Sequence, residues 1–278
     1  MSGPVRAEPA PPLSVAIVCK DNQRTIGRTL DSVRGLARQI VAVDSGSTDG
    51  TLDLLRAAEA RVIGSPWLGH VRTKQLALEA CAEPWVLCLD SDESLSAELA
   101  GFVRAACAGG AEPGVDGWEL RRVVYYRGRP LRHAWQPEWR LRLIRRERFR
   151  WAGLDPHDYL EPLGPARLGR AVGVLRHDSF ETFAEHLGKQ AGHARSMARS
   201  LHASGRRGSL ARLAISPVGA FLKQVVVKRA FLDGTPGWLA AASTAAGALM
   251  KHAVLLELSQ PPEQRGAERA GSERGDPG

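Results

Sequence analysis

Short apolar runs alternate with segments of helical periodicity in the first third of the chain. Leu13–Cys19 is apolar and β-branched, which predicts a buried strand, and Ile26, Leu30 and Val33 then recur at helical spacing. The other elements predicted in this part are a strand at Ile40–Val43, a helix with Leu52, Leu55 and Ala58 on one face, a strand at Arg61–Ile63, a helix over Val71–Ala80 and a strand at Trp85–Leu89. Such alternation indicates a parallel sheet covered on both faces.

Polar residues follow three of the predicted strands directly, at Lys20-Asp21-Asn22, at Asp44-Ser45-Gly46-Ser47 and at Asp90-Ser91-Asp92. The carboxyl ends of neighbouring parallel strands meet at one edge of a sheet, and ligands of such sheets bind beyond that edge. We therefore expect the functional site where these three turns converge.

The pattern changes after residue 116. Gly117–Tyr126 and Trp139–Ile144 alternate in polarity on either side of a turn at residues 127–130, which predicts an antiparallel extension of the sheet. From Phe180 to about Leu258 the pattern is helical and basic, with interruptions expected at Ser216-Pro217 and Asp233-Gly234. The predicted organisation is a disordered N-terminus over 1–12, an α/β domain over 13–178 that divides into 13–116 and 117–178, a helical region over 179–258 and a disordered tail over 259–278.

The net charge of the chain excludes few classes of binding partner. The 278 residues carry a formal net charge of +8, which suits nucleic acid, an anionic membrane surface or phosphorylated substrates. No signal peptide is visible in Met1–Pro12, and no run reaches the roughly 18–20 apolar residues that span a bilayer; the Ala-rich Gly237–Met250 is shorter. The four cysteines lack metal-ligand spacing, so we expect buried thiols in a reducing compartment and a cytoplasmic chain.

Asp90-Ser91-Asp92-Glu93 places several carboxylates at the mouth of a buried strand. Mg²⁺ takes one or two carboxylates, with phosphates and water completing its octahedron. Asp90 and Asp92 can therefore hold a metal and orient a diphosphate, whose charge the metal would neutralise as it leaves. The competing interpretation is a solvated acidic turn that caps the next helix through Ser94 or Ser96; the alternating α/β context favours the metal site.

The turn after the second strand has two interpretations that the sequence leaves open. The carboxylate of Asp44 can accept hydrogen bonds from a base N–H or a ribose hydroxyl, but it repels phosphate. Alternatively, Gly46 and Ser47 serve turn chemistry alone, since glycine tolerates unusual dihedral angles and serine caps helices.

Three segments, in this order, resemble the nucleotide-binding half of the family 2 glycosyltransferases: LSVAIVCKDN, IVAVDSGSTDGT and WVLCLDSDE. Two later segments are similar to the subgroup related to lipopolysaccharide-core beta-glucosyltransferases: RLRLIRRERFRWAGLDPHDYLEP and FLKQVVVKRAFLDGTPGW. The resemblance covers about Leu13 to Leu258. It implies a GT-A fold, that is, a Rossmann-like, mostly parallel sheet with an antiparallel extension, followed by a C-terminal helical appendage. Residues 13–116 would bind the nucleotide sugar and 117–178 the acceptor.

The resemblance also implies a function. It predicts an inverting glycosyltransferase that moves a sugar from a nucleotide sugar, expected to be a UDP-hexose, to a hydroxyl of a glycan or glycolipid acceptor. The cofactor would be Mg²⁺ or Mn²⁺. The acceptor would belong to lipopolysaccharide core or another cell-envelope glycan.

Carried over residue by residue, the resemblance assigns the donor side of the site. Asp44 would contact the nucleotide base or ribose with Asp21 nearby, Asp90 the ribose, Asp92 the metal and diphosphate, and Lys74 the phosphates. The subgroup often has Asn-Glu where this chain has Asp21-Asn22, and Asn where it has Gln75.

On the acceptor side, an inverting transfer needs a general base within hydrogen-bond reach of the attacking hydroxyl, and a carboxylate suits that role. The resemblance assigns it to Asp158, one methylene shorter than the glutamate common in the subgroup, while His157 would orient its loop. The alternative is a surface turn after Gly153 and Pro156.

Basic residues concentrate in two later segments. In the first, the arginines form either a solvated face or phosphate clamps on the donor or on a phosphorylated acceptor; Arg142, between Leu141 and Leu143, is the first choice for a clamp. The members of this segment are Arg140, Arg142, Arg145, Arg146, Arg148 and Arg150. In the second, Lys223, Lys228 and Arg229 stand among apolar and aromatic residues. That segment is either a helix in an anionic membrane interface, which predicts peripheral binding to the inner face of the cytoplasmic membrane, or ordinary core packing.

Other classes of protein fit less well. A nucleotidyltransferase also uses a sheet and metal-binding aspartates, but the expected Gly-rich phosphate loop is missing after the first strand, where Lys20-Asp21-Asn22-Gln23-Arg24 stands. A nicotinamide-dependent oxidoreductase is disfavoured for the same reason. A nucleic-acid-binding module is disfavoured because no RRM, helix-turn-helix or zinc-finger signature accompanies the arginines.

Overall fold

A computed structural model describes residues 9–154 and 157–260 of the chain. The predicted disorder over residues 1–8 and 261–278, and the predicted turn at Pro156, lie outside the described residues. The chain divides into two compact units. The first comprises residues up to Pro130 together with Gln136–Ser179, and the second comprises Leu131–Trp135 together with the residues from Phe180 onward.

The first unit is built on a mixed sheet whose strands run in the order β3-β2-β1-β4-β8-β6-β12-β5. Its strands are β1 (Leu13–Cys19), β2 (Gln39–Asp44), β3 (Arg61–Gly64), β4 (Trp85–Asp90), β5 (Glu93–Leu95), β6 (Gly117–Tyr126), β8 (Trp139–Arg145) and β12 (Leu175–His177), with β7 (Arg129–Pro130) and β11 (Leu168–Arg170) beside β6. The expected combination of a parallel half and an antiparallel extension is confirmed.

Register in the parallel half sets the level of the strand ends. Cys19 at the end of β1 pairs with Asp44 of β2, and Val18 pairs with Asp90 of β4. The acidic residues therefore leave the sheet at one edge. Apolar clusters cover both faces of β1, one including Val15 and Ile17 and the other including Ala16.

Four helices flank this sheet: α1 (Gln23–Val33), α2 (Thr51–Ala57), α3 (His70–Glu79) and α4 (Ala97–Cys107). Helix α4 is capped by Ser96, whose hydroxyl accepts a hydrogen bond from the N–H of Leu99. Ser96 is one of the two capping candidates in the predicted acidic turn. Its role as a cap does not involve the carboxylates before it.

A separate hairpin, β9 (Phe149–Leu154) and β10 (His157–Pro162), extends from the first unit's chain after β8. Its backbone pairing sets Asp158 opposite Gly153, which has a φ of +106°. A Cβ atom at that glycine would clash with the carbonyl oxygen of His157. Glycine is thus needed at the position opposite the predicted base.

The second unit is helical, with α5 (Phe183–Ala203), α6 (Leu210–Leu222) and α7 (Thr235–Ser259). A π-helical turn at Lys223–Val227 and a 3-10 turn at Ala230–Asp233 join α6 to α7. The expected break at Asp233-Gly234 is found. The expected break at Ser216-Pro217 is wrong, because Pro217 removes a single N–H donor while α6 remains packed along α7.

The expectation that no segment is long and apolar enough to cross a bilayer is also wrong. Two helical segments, Leu210–Val227 and Thr235–Ser259, are long and apolar enough by length and composition. A helix can be apolar enough on average to cross a bilayer although single polar residues, such as Lys223 and Ser243, interrupt its apolar runs. By length and composition alone, core helices of soluble proteins pass the same test.

Candidate active site

Lys74 joins the two sides of the predicted site. Its Nζ lies 2.7 Å from Asp90 Oδ1 at the end of β4 and 2.8 Å from Asp158 Oδ2 on β10. Helix α3 places it there because Thr73, Ala77 and Leu78 of the same helix are buried. The Lys74 side chain is 8% exposed, and its ammonium lies 4.8 Å from the centre of the Trp151 ring, in cation–π contact.

Arg142 holds Asp90 from the opposite side. Its Nη2 donates to Asp90 Oδ2 at 2.8 Å, and its Nε and Nη2 form a fork to Glu93 at 3.1 and 2.9 Å. Glu93 is fully buried, and it also accepts from the backbone N–H of Asp90 and pairs with Arg122. A buried bidentate pair of this kind fixes both partners in one orientation.

These contacts set the charge on the donor-side carboxylate. Burial alone would raise the pKa of Asp90, but Lys74 and then Arg142 outweigh it and hold the pKa well below its ordinary value. Burial would lower the pKa of Lys74, and the neighbouring Asp90 and Asp158 raise it above its ordinary value despite Arg142. Asp90 and Lys74 thus stabilise each other's charged form.

The acceptor-side hairpin is anchored to the same helix. The backbone N–H of Trp151 on β9 donates to the side-chain oxygen of Gln75 at 2.8 Å, next to Lys74 on α3. Asp158 faces Lys74, whereas His157 is exposed. Gln75 thus fixes β9, the strand that pairs with β10, on which Asp158 lies. The subgroup often has Asn at this position.

Asp92 lies beside a residue that the sequence did not single out. Its Oδ2 is 3.4 Å from Nε2 of His177, the last residue of β12, and the backbone N–H of Asp178 donates to its carbonyl. Burial would raise the pKa of Asp92, but His177 outweighs it and the pKa is lowered. The buried Nδ1 of His177 has no hydrogen-bond partner among the described residues.

The Asp92–His177 pair fits a divalent cation. Ligands about 2.1 Å from a cation and at right angles lie about 3 Å apart, close to the separation found here. Carboxylate oxygen suits Mg²⁺ and Mn²⁺, and imidazole suits transition metals. In the described part of the chain no group of three or more His, Cys, Asp or Glu side chains could hold a metal. A cation would therefore draw its remaining ligands from phosphate and water.

The first two strand ends form a separate pair of interlocked loops. Asp21, whose φ of +52° is unusual for a non-glycine residue, accepts from the N–H of Thr48 at 2.8 Å. Asp44 accepts from the N–H groups of Gly46 and Ser47 at 3.0 and 2.9 Å and from the Ser47 hydroxyl. Its pKa is lowered, because these hydrogen bonds outweigh burial. Turn chemistry is thus present at Asp44.

The predicted residues therefore fall into three groups. Lys74, Asp90, Arg142 and Asp158 meet in one ionic cluster, and Asp92 pairs with His177. The hydrogen bonds described for Asp21 and Asp44 run to the loop after β2. Glu93, Trp151 and His177 belong to the site and were missed as individual residues. Glu93 could have been suspected because it follows Asp90-Ser91-Asp92 directly, but a single sequence offers no signal that links His177 to Asp92.

Comparison with known proteins identifies the family of the chain. The family model described as Glycosyl transferase family 2 matches residues 14–162. The lipopolysaccharide core biosynthesis glycosyltransferase LpsC of Rhizobium meliloti is 30% identical over 260 residues, which is 90% of this chain and 93% of that protein. An uncharacterized glycosyltransferase of Rickettsia typhi is 27% identical over 89% of this chain and 87% of its own.

Among solved structures, glucosyl-3-phosphoglycerate synthase from Mycobacterium tuberculosis, in complex with Mn²⁺, UDP-glucose and phosphoglyceric acid, is 25% identical with a TM-score of 0.33. That match covers 44% of this chain and 46% of the synthase chain, less than half of each. The family model, by contrast, spans β1 to β10 and so includes Lys74, the acidic turn after β4 and Asp158. This chain belongs to glycosyl transferase family 2.

Proposed function

We propose that this glycosyltransferase moves a hexose from a UDP-linked donor, with inversion at the anomeric carbon, to a hydroxyl of a cell-envelope glycolipid or glycan. The observation that carries the proposal is the position of Lys74, within 2.8 Å of both Asp90 and Asp158. One cation thereby connects the carboxylate proposed to bind the donor with the carboxylate proposed to activate the acceptor.

On the donor side, the N-terminal half of the sheet is proposed to bind the nucleotide. Asp44 and Asp21 would face the base and ribose, and Asp90 would accept from a ribose hydroxyl. Arg142 is proposed to act chiefly through Asp90, because the contacts of its guanidinium run to Glu93 and Asp90. Lys74 would contribute positive charge toward the diphosphate.

Asp92 and His177 are the residues proposed to hold Mg²⁺ or Mn²⁺. A bound cation would neutralise charge on the departing diphosphate. Within residues 9–154 and 157–260 these are the two side chains that we propose as ligands, so the affinity for metal should depend on the nucleotide that provides further oxygen ligands.

On the acceptor side, Asp158 is proposed as the general base. Its carboxylate would take the proton from the attacking hydroxyl as the new bond to the anomeric carbon forms. Lys74 and the Trp151 ring would orient it, and Gln75 would hold the hairpin in register. The name of the Rhizobium relative, lipopolysaccharide core biosynthesis glycosyltransferase, supports an acceptor in the cell envelope.

A thermal-shift panel of nucleoside diphosphates and nucleotide sugars, each with and without Mn²⁺, tests the class and names the donor. A ligand that binds only the native state raises the melting temperature, by an amount that increases with the ratio of its concentration to its Kd. We expect UDP and one UDP-hexose to stabilise the protein with Mn²⁺ and much less without it. Nucleoside triphosphates are added to the panel as a comparison, and if they stabilise the protein while diphosphates do not, a nucleotidyltransferase fits better. With the donor identified, the coupling constant of the product's anomeric proton reports inversion or retention.

A further inference from the structure

The second unit carries an exposed apolar face on α6 and the π-helical turn that follows it. In a soluble helix the outward face is polar. Here Ile215, Val218, Leu222 and Val226 follow one another at spacings of three or four residues, so they form one stripe. Their exposed fractions are 69%, 58%, 51% and 64%. The opposite face of α6 packs against α7. We call these four residues the apolar stripe.

Large apolar side chains continue beyond the stripe toward the start of α7. The Phe221 ring lies 6.2 Å from the Trp238 ring, which brings the end of α6 beside the start of α7. The exposed residues there are Val227, Phe231, Leu232, Trp238 and Leu239. Exposed apolar surface of this extent marks an interaction site.

Charge around the stripe has a single sign. From residue 186 to residue 232 the chain contains no Asp or Glu and nine Lys or Arg. Among these, Arg212 precedes the stripe, and Lys223 and Arg229 lie at its far end, all three exposed. The next acid, Asp233, is engaged within the unit, since its carboxylate accepts from the backbone N–H groups of residues 132–134. The surface combines apolar contact area with an excess of positive charge.

We propose that this face docks on the surface of an anionic lipid bilayer, with the apolar stripe inserted at the level of the headgroups and the basic residues among anionic headgroups. Apolar area and positive charge together are what interfacial helices use. A second copy of the chain would bring like charges together, so the charge pattern favours a bilayer over a dimer.

The packing of α5 indicates that the unit lies on the bilayer and does not cross it. Helix α5 packs along α7 and carries Glu185, Lys189, Arg195 and Arg199. If α7 crossed the membrane in this arrangement, those charges would enter the hydrocarbon region at high cost. Helix α7 also contains Lys251 and Glu257.

The test is co-sedimentation of the full chain with vesicles of phosphatidylcholine alone and of phosphatidylcholine with phosphatidylglycerol, at low and high salt. The variant is Val218→Asp, and the matched control is Val172→Asp in the first unit, because Val172 is 55% exposed and Val218 is 58% exposed. A second comparison tests the charge. Lys223→Gln and Arg229→Gln are measured as single variants, and Arg34→Gln in the first unit is their control.

We expect wild type to bind anionic vesicles and to be released by high salt. Val218→Asp should lower the partition coefficient by about tenfold, and each lost basic residue by about fivefold. The controls should bind like wild type. Circular dichroism of every variant verifies folding.

Three results would overturn the proposal. These are equal binding of wild type and Val218→Asp, equal binding to neutral and anionic vesicles, and a lipid-free dimer that Val218→Asp dissociates. A fourth contrary result is retention of the full chain in native membranes after a high-salt wash, which would mean that the two helices span the bilayer. No donor or acceptor is present in the assay, so its outcome is independent of the proposed function.

Discussion

Lys74 Nζ lies 2.8 Å from Asp158 Oδ2, although the two residues are 84 positions apart. The contact links α3, on the parallel half of the sheet, to the β9–β10 hairpin. Since Lys74 also binds Asp90 at 2.7 Å, removing its charge should affect the proposed donor and acceptor sides together.

The first prediction concerns that charge. Lys74→Met keeps most of the apolar stem of the side chain but removes the ammonium, and with it the cation–π contact to Trp151. It leaves Asp90 and Asp158 close to each other without the cation between them. We expect transfer to fall by about 100-fold or more, as for loss of a preorganised charge in other active sites. Arg72→Met, at an exposed position of the same helix, is the control and should retain activity. Steady-state transfer kinetics measure both, and near-normal turnover by Lys74→Met would exclude a role for this lysine in the reaction.

The second prediction separates the general base from donor binding. Asp158→Asn should lower the rate of transfer by about 10²- to 10⁴-fold, while the nucleotide sugar still raises the melting temperature. Asp158→Glu restores the carboxylate and should recover part of the activity. Glu161→Gln on the same strand, whose partner is Arg150, is the matched control. If Asp158→Asn transfers sugar at the wild-type rate, the base lies elsewhere.

The sequence predicts those parts of the candidate site that follow from local patterns of apolar and polar residues. The strands β1, β2 and β4 are continuous apolar runs, and their pairing places Asp44 and Asp90 at one edge. It could not locate partners set by tertiary packing. His177 is 85 positions from Asp92, at the end of a three-residue strand too short to show periodicity. The same limit applies to α6, where Pro217 indicates a break that packing against α7 overrides.

The third prediction concerns the metal. Asp92→Asn and His177→Gln should each weaken Mn²⁺ binding in the presence of UDP by about 10- to 100-fold, because each removes one of the two side chains proposed as ligands. Glu98→Gln, exposed on α4, is the control. Isothermal titration or the loss of the free Mn²⁺ signal in electron paramagnetic resonance measures the affinity. Unchanged affinity in both variants would show that this pair is not the metal site.

The fourth prediction concerns the buried ion pairs behind Asp90. Glu93→Gln leaves Arg142 and Arg122 without the full negative charge that both contact within 3.1 Å. Removing one partner of a buried ion pair costs about 3–5 kcal/mol. We expect a decrease of that order in the free energy of unfolding, read from urea titration. Glu119→Gln, at a surface pair with Arg170, should change it by less than about 1 kcal/mol. A small effect of Glu93→Gln would mean that the arginines find other partners.

The last prediction concerns pH and the second unit. His186 lies among the rings of Phe180 and Trp135, and its Nε2 is 3.1 Å from the Ser243 hydroxyl. Burial, with smaller contributions from Lys189 and His193 that outweigh Glu185, lowers its pKa from 6.5 to about 4. Since the folded value lies below the unfolded one, the unfolded chain binds more protons between these pH values. The stability that His186 contributes is therefore complete above pH 6.5 and is lost as the pH falls toward 4.

Urea titrations at pH 7, 6, 5 and 4 should show this decline in wild type and a shallower decline in His186→Gln. His202→Gln should keep the wild-type slope, and parallel slopes in all three proteins would assign the acid sensitivity to other groups.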